Sequence, residues 1–421
     1  MRQRLIGLLA APWFITMAAF LLRAAWLFYK ATLIPAVVLA TVPFQNEVGN
    51  VASAIASGQG FCCLFRQPTG PTAWVAPVYP LVIAALFKLF GTFTLRSFYV
   101  AVLLNSAFSA LAAIPLFHAA QRFAGTFTAV LAAWLWALFP TGIILPYAWI
   151  WDTSLSALLA AAILWATLRL AHSPFPRAYA LYGLLWGFSL LTNPSLGALF
   201  PFLLAWILFR GRETPWQKLR CLLIACAVIL AVCLPWTIRN FSRFHRLIPL
   251  RSNLPYEFWS GNNEIFDPES HEVNRITRFE QTGLYARLGE SSFLDQKWQD
   301  AKSFVRSHPV LYTQLCAQRV VATWLGTASP RRDFLRATAF EKFLLLWNAV
   351  AFVAFLVGLA RLYLRGRPFF ILVAVFPLVF PLAFYLTHTS LRHRHPVDPV
   401  LALLMALALR GVGVRTTPEI G

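Results

Sequence analysis

Long apolar runs constrain this chain more than any other feature. A stretch of about twenty apolar residues is long enough to cross a bilayer as a helix. Such runs fall at about 5–28, 98–120, 124–142, 153–169, 178–191, 195–209, 219–238, 341–362, 368–387 and 396–412. Asn193-Pro194 supplies a turn inside what would otherwise be one run of close to thirty residues. The expected fold is an all-α polytopic membrane protein of about ten transmembrane helices. Composition agrees, with 59% hydrophobic residues and only 12% charged, against roughly 25% charged in a soluble domain. A soluble globular enzyme and a disordered chain are excluded. The net charge of +20 does not indicate a nucleic-acid partner, because the basic residues form no single stripe. The first run lacks a small-residue cleavage site after a short apolar core and reads as a signal anchor.

Charge fixes the expected topology. Arg2 and Arg4 place the start of the chain in the cytoplasm. Alternation then puts Arg122, the Arg169–Arg177 turn, the Arg210–Arg220 turn, Arg361 with Arg365 and Arg367, and Arg410 with Arg415 on the same side. Glu213 and Glu419 are the only acids there. The expected location is the cytoplasmic (inner) membrane. If residues 76–91 also spanned, every later basic loop would face outward, so that stretch reads as a juxtamembrane helix on the outer surface; a short spanning helix is the competing reading. Three regions follow. Residues 1–238 form an N-terminal transmembrane module whose first outer loop is 30–97. Residues 239–340 form an external soluble cap, long enough to be exempt from the charge rule, and 341–421 return to the membrane.

The sixteen acids are few enough to place one by one, and ten of them lie between Glu257 and Asp333. Glu47, Asp152, Glu341 and Asp398 remain near the membrane, where an acid is a functional candidate by default. Each also has a structural reading: a solvated loop acid for Glu47, a helix cap for Asp152, and helix-start charges for Glu341 and Asp398. One short outward loop, HTSLRHRH at 388–395, breaks the charge rule. Its Arg392, Arg394 and His395 suit a phosphate at the membrane surface, or anionic lipid headgroups in general. Arg239 and Arg331-Arg332 are weaker outward cations. Trp74, Tyr79, Tyr147, Trp149 and Trp151 suit stacking on sugar rings and equally an interfacial aromatic belt. Together these pieces suggest group transfer from a membrane-bound phosphate, with a carboxylate taking a proton from the acceptor and arginines holding the departing phosphate. Cys221, Cys226 and Cys233 read as packing residues, and a bridge from Cys316 to Cys62 or Cys63 stays open.

Several short motifs recur in a characteristic order: Glu47 with Ala52, Ser57-Gly58-Gln59-Gly60-Phe61, Thr69-Gly70-Pro71-Thr72-Ala73-Trp74, Pro77-Val78-Tyr79-Pro80, Leu191-Thr192-Asn193-Pro194, Pro235-Trp236-Thr237-Ile238-Arg239-Asn240, Pro249-Leu250-Arg251-Ser252-Asn253, Gly261-Asn262-Asn263, and Arg392-His393-Arg394-His395-Pro396 with Asp398-Pro399. In these the chain resembles the GT-C glycosyltransferases, and within them the bacterial protein-mannosyltransferase and aminoarabinose-transferase group. The resemblance covers nearly the whole chain. It implies a GT-C-like bundle and transfer of a sugar, usually with inversion, from a polyprenyl-phosphate-linked donor at the outer face of the membrane. The acceptor is a lipid, a glycan or a protein. It further implies Glu47 as general base and Asp152 as a second acid. Asn193, Arg239 and Asn262 join Arg392, Arg394, His395, Trp74 and Tyr79 as candidate substrate-binding residues. Gln45-Asn46-Glu47 replaces the family's acidic pair, which disfavours a bound divalent metal, and no other cofactor is called for. Trp74-Val75-Ala76 carries no lysine where aminoarabinose transferases have one, so the phosphate falls to Arg392 and Arg394, with Arg66 an outsider. Two other classes compete: a transporter or flippase of lipid-linked sugars, and a non-catalytic subunit of a glycan-assembly system. Midplane charges and inverted repeats would favour the transporter, whereas the polar residues here collect at the outer ends.

Overall fold

A computed structural model describes residues 7–65, 67–171, 175–210, 214–264, 266–267, 272–273 and 275–410. The first spanning helix, α1 (Pro12–Ala31), starts at a proline, whose missing N–H costs nothing there. A loop follows that carries α2 (Ala36–Thr41), α3 (Glu47–Ala56) and α4 (Val78–Phe90). At 13 residues, α4 is about 20 Å long, short of the roughly 30 Å hydrocarbon core. It packs against α3.

The 54 residues Leu95–Ala148 hold a strongly apolar window but cannot be one rod. Helix α5 (Leu95–Leu111) leads into α6 (Ala113–Ala137), which reverses at Gly125, where φ is 82° and ψ 166°. That left-handed conformation is open to glycine and costly to other residues. The chain breaks again at Phe139-Pro140 before α7 (Pro140–Ala148). Pro140 has no N–H to offer the Trp136 carbonyl. That carbonyl accepts from Phe139 N–H at 3.2 Å and from Arg23 of α1, which donates to the carbonyls of Ala19, Trp136 and Ala137 at 2.9, 3.3 and 3.1 Å and to Ser109 Oγ at 2.9 Å.

Then come α8 (Thr153–Leu170), α9 (Pro176–Thr192), a 3₁₀ turn at Pro194–Leu199 that runs into α10 (Phe200–Arg210), and α11 (Pro215–Phe244). Helices α9 and α11 meet closely through Gly183 and Gly187. A methyl at either glycine would lie 2.6–2.7 Å from Ala225 O or the Val232 side chain, as small-xxx-small packing requires. After α11 the chain leaves the bundle for α12 (Leu254–Gly261), a two-residue antiparallel pair β1 (Phe266–Asp267) and β2 (Glu272–Val273), α13 (Arg275–Ser307), α14 (Pro309–Leu325) and α15 (Pro330–Arg336). It returns in α16 (Ala339–Arg365), opened by a Thr338–Glu341 capping box, then α17 (Arg367–Val379), α18 (Leu382–Leu386), α19 (Leu391–Arg394) and α20 (Asp398–Arg410).

Helix α20 is the core of the bundle. Residues 400–407 are all buried, against α6 on one side and α16 on the other; a helix apolar all round is an interior one. Gly358 of α16 lets the two backbones touch at Leu404. By contrast α11 and α16 bury only 17% and 22% of their apolar windows and so present lipid-facing surfaces. Six stretches among the described residues are long and apolar enough to cross a membrane, and one of them is the doubled-back Leu95–Ala148. The shorter α9, Pro194–Arg210 and α20 complete the bundle. The molecule is a multi-pass, all-α membrane protein, the fold class expected from the sequence.

Candidate active site at one end of the bundle

Loops far apart in sequence converge at the end of the bundle where α8 begins. Asp152 sits one residue before that helix, in the N-cap position, but its carboxylate caps no backbone N–H. It accepts from Ser156 Oγ at 2.8 Å, and Asn193 Nδ2 donates to the same Ser156 Oγ at 3.2 Å. Asn193 in turn caps Ser195 N–H at 3.1 Å, and Arg251 donates to Ser195 Oγ at 3.2 Å. Burial lifts the Asp152 carboxyl above its ordinary range, offset in part by Ser156, Arg251 and Arg392. The hydroxyls of Thr153 and Ser154 beside it are buried without a partner, and such groups need explaining.

Arg392 of α19 lies over the rings of Trp149 and Trp151, 4.7 and 5.3 Å from their centroids. Neither Arg392 nor Arg251 has a carboxylate at ion-pair distance among the described residues. Next to them, His393 stacks on Phe384 at 4.8 Å and sits edge-on to His388 at 4.9 Å. His388 Nδ1 is 3.2 Å from Glu257. Burial, with Arg392, His388 and Arg251 nearby, holds His393 well below the usual imidazole range. The cluster is thus cationic, aromatic and partly withdrawn from water.

The other site candidates make contacts of their own. Arg394 and His395, expected beside Arg392 at a phosphate, turn inward instead. Arg394 is 1% exposed and donates to the protein from all three nitrogens: to Asp398 at 2.8 Å, the carbonyls of Thr323 and Trp324 at 3.3 and 2.8 Å, and Asn348 at 3.0 Å. His395 and Thr141 reach the other Asp398 oxygen at 3.2 and 2.5 Å. The i, i+4 spacing on one short helical stretch turns Arg394 onto Asp398 and leaves Arg392 on the open face. Trp74 is buried among Phe65, Tyr256, Tyr285 and Phe293, where it joins the first loop to the cap. Tyr79 is buried and donates to Asn105 at 2.8 Å. Arg239 donates to the carbonyls of Thr72 and Phe61 at 2.7 and 2.8 Å, and so ties the first loop to α11. Asn262 binds the Phe258 and Leu386 carbonyls and accepts from Arg319. Glu47 is the first residue of α3, half-buried, behind Asn46, which caps Gly49 N–H at 2.9 Å. Arg66 lies outside the described residues. Arg251 and Ser156 were not singled out from the sequence; Arg251 was legible only as part of a motif. Among the described residues no group of three or more His, Cys, Asp or Glu side chains is placed to hold a metal ion.

Fold and site together define a multi-pass membrane architecture: an apolar bundle whose loop end gathers an acid, arginines and aromatics. Among solved structures the chain is similar to the oligosaccharyltransferase of Archaeoglobus fulgidus in complex with Zn and sulfate, with a TM-score of 0.54 and 13% identity over 94% of this chain and 48% of that one. AglB from the same organism, in complex with an inhibitory peptide and a dolichol-phosphate, gives a TM-score of 0.51 and 14% identity over 94% and 50%. ArnT from Cupriavidus metallidurans, bound to undecaprenyl phosphate, gives 0.38 and 14% over 92% and 78%. The chain spans about half the length of the archaeal enzymes. No family model and no curated protein matches it. At these identities the likeness is one of fold.

Proposed function

We propose that this protein transfers a sugar from a polyprenyl-phosphate-linked donor to an acceptor at the outer face of the cytoplasmic membrane. The observation that carries the reading is the cluster at the start of α8. A buried carboxylate, Asp152, feels two arginines, Arg251 and Arg392, neither of which has a carboxylate at ion-pair distance among the described residues. Two guanidinium groups gathered at a membrane mouth suit a phosphate diester, whose charge grows as the glycosidic bond breaks. The fold supports the same reading, since the solved proteins that share it carry dolichol-phosphate in one case and sulfate in another.

In this reading Glu47 removes the acceptor's proton as the acceptor attacks the anomeric carbon, with inversion. Arg392 and Arg251 hold the leaving phosphate, and Trp149 and Trp151 keep the Arg392 guanidinium in place. Asp152, through Ser156 and Asn193, orients the site. Arg394, His395 and Asp398 set the position of the Arg392 turn from within the core. Arg239, Asn262 and Trp74 hold the first loop and the cap against the bundle. A lipid, a glycan and a protein all remain acceptor classes.

The direct test is label transfer in proteoliposomes. Protein reconstituted with a radiolabelled polyprenyl-phosphate sugar and an envelope-lipid extract should move label into a product only when the donor is present. Translocation of intact donor across the bilayer with no new product would support a flippase instead.

A further inference from the structure

Cys62 and Cys63 stand next to each other, half-exposed, in the first loop. Their Sγ atoms are 2.7 Å apart, well inside ordinary sulfur contact and longer than the roughly 2.05 Å of a bond. Adjacent side chains on extended backbone point to opposite faces. Cys63 escapes that rule because its φ is 65°, in the left-handed region that non-glycine residues rarely adopt. The surrounding strap holds this conformation. Cys62 pairs with Pro71 in an antiparallel bridge, Cys63 N–H donates to Gly70 O, and Thr72 N–H donates to Phe61 O, the last two at 3.2 Å. Arg239 clamps the carbonyls of Phe61 and Thr72 from behind.

We propose that Cys62 and Cys63 form a redox modification site that closes into a vicinal disulfide on contact with a thiol–disulfide oxidant. The thiolate of Cys63 attacks one sulfur of the oxidant's disulfide and expels the first thiol. Cys62 then gives up its proton and attacks the Cys63 sulfur, expelling the second. One protein S–S bond forms, the oxidant's S–S bond breaks, two electrons pass to the oxidant, and both thiol protons end on the released thiols. The order follows from the Cys62 thiol, pushed up to about 12 by burial and its contact with Cys63. Adjacent Cα atoms stand about 3.8 Å apart, below the usual 4.4–6.8 Å for bridged cysteines, so the ring is strained and readily reduced again. The outer side of the membrane, where this loop is placed here, is where disulfides persist. The inference rests on that placement and is independent of the sugar-transfer reading.

The test uses the full chain in detergent, equilibrated with graded ratios of oxidised to reduced glutathione. The protein is then denatured, its free thiols are blocked with N-ethylmaleimide, and its peptides are read by mass spectrometry. As the ratio rises, the peptide holding both cysteines should lose both maleimides together and become two hydrogens lighter. Cys221, Cys226, Cys233 and Cys316 should stay labelled, and dithiothreitol should restore the pair. In Cys62→Ser, Cys63 should stop at the glutathione adduct. Two maleimides at every ratio, stable glutathione on both sulfurs, or a link from either to Cys316 would each overturn the proposal.

Discussion

At the residue scale, the separation of Arg392 from Arg394 decides how the basic loop is used. The two are indistinguishable as letters in HTSLRHRH. The structure commits Arg394 to Asp398, Asn348 and two carbonyls, while Arg392 lies over the faces of Trp149 and Trp151. Arg392→Ala is therefore expected to raise the apparent KM for the lipid donor and lower kcat. Arg392→Lys should restore part of each, since an ammonium cannot reproduce the guanidinium fork. Steady-state kinetics against donor concentration check this. Arg394→Ala, by contrast, strands a buried carboxylate and should lower folded stability by about 3–5 kcal/mol. The histidines give a pH signature. His393 is held neutral by burial with Arg392, His388 and Arg251 around it, so its folded pKa lies below the unfolded value of about 6.5. As pH falls through about 6.5 the unfolded chain takes up a proton that the native chain refuses, and stability drops. Thermal unfolding in detergent should show a lower Tm at pH 5.5 than at pH 7.5, and His393→Gln should flatten that slope. An unchanged slope in the variant would assign the effect elsewhere.

Among the elements, the sequence was informative wherever periodicity or length was enough. The apolar runs foretold the spans, and Glu341, read as a helix-start charge, stands in the first turn of α16. The Gly183-x-x-x-Gly187 pair was legible in hindsight as a close helix crossing. Gly183→Ala should push α9 away from α11, costing about 1–3 kcal/mol as overpacking does. A matching loss of monodisperse protein on size exclusion, and a lowered Tm, would register it; wild-type stability would show that the crossing has slack. What escaped the sequence were contacts made by side chains long distances apart. Nothing in TSLSALL marks Ser156 as the link between Asp152 and Asn193. Nothing around Trp74 says that it faces the cap aromatics and not a ligand. Nothing in the first apolar run says that Arg23 reaches carbonyls beside a proline break more than a hundred positions away. Periodicity reports which face is buried, not what the face meets.

Over the whole molecule, alternation of the spans sorts the loops into two sets, and the contacts respect that sorting. Asp152, Asn193, Arg251 and Arg392, all assigned outward, meet at the start of α8. Arg122 reaches Leu168 at the other end of the same helix, and Trp206 reaches Pro368. Helix α8 has 18 residues, about 27 Å, enough to hold the two sets apart across a bilayer. Sidedness is open to a labelling experiment. A single cysteine at position 95, in a background with the native cysteines replaced by serine, should react with a membrane-impermeant maleimide from the outer side alone. Reaction from the cytoplasmic side alone would reverse the topology and move the site indoors.

The central claim is that this chain breaks a sugar–phosphate bond using Glu47 as base, and the most direct measurement is the rate of donor-dependent label transfer by Glu47→Gln. The amide keeps the size of the side chain and removes its basicity. With folding verified by size exclusion and Tm, transfer is expected to fall by roughly 10²–10⁴-fold, with donor binding retained. Near-normal turnover in that variant would contradict the account.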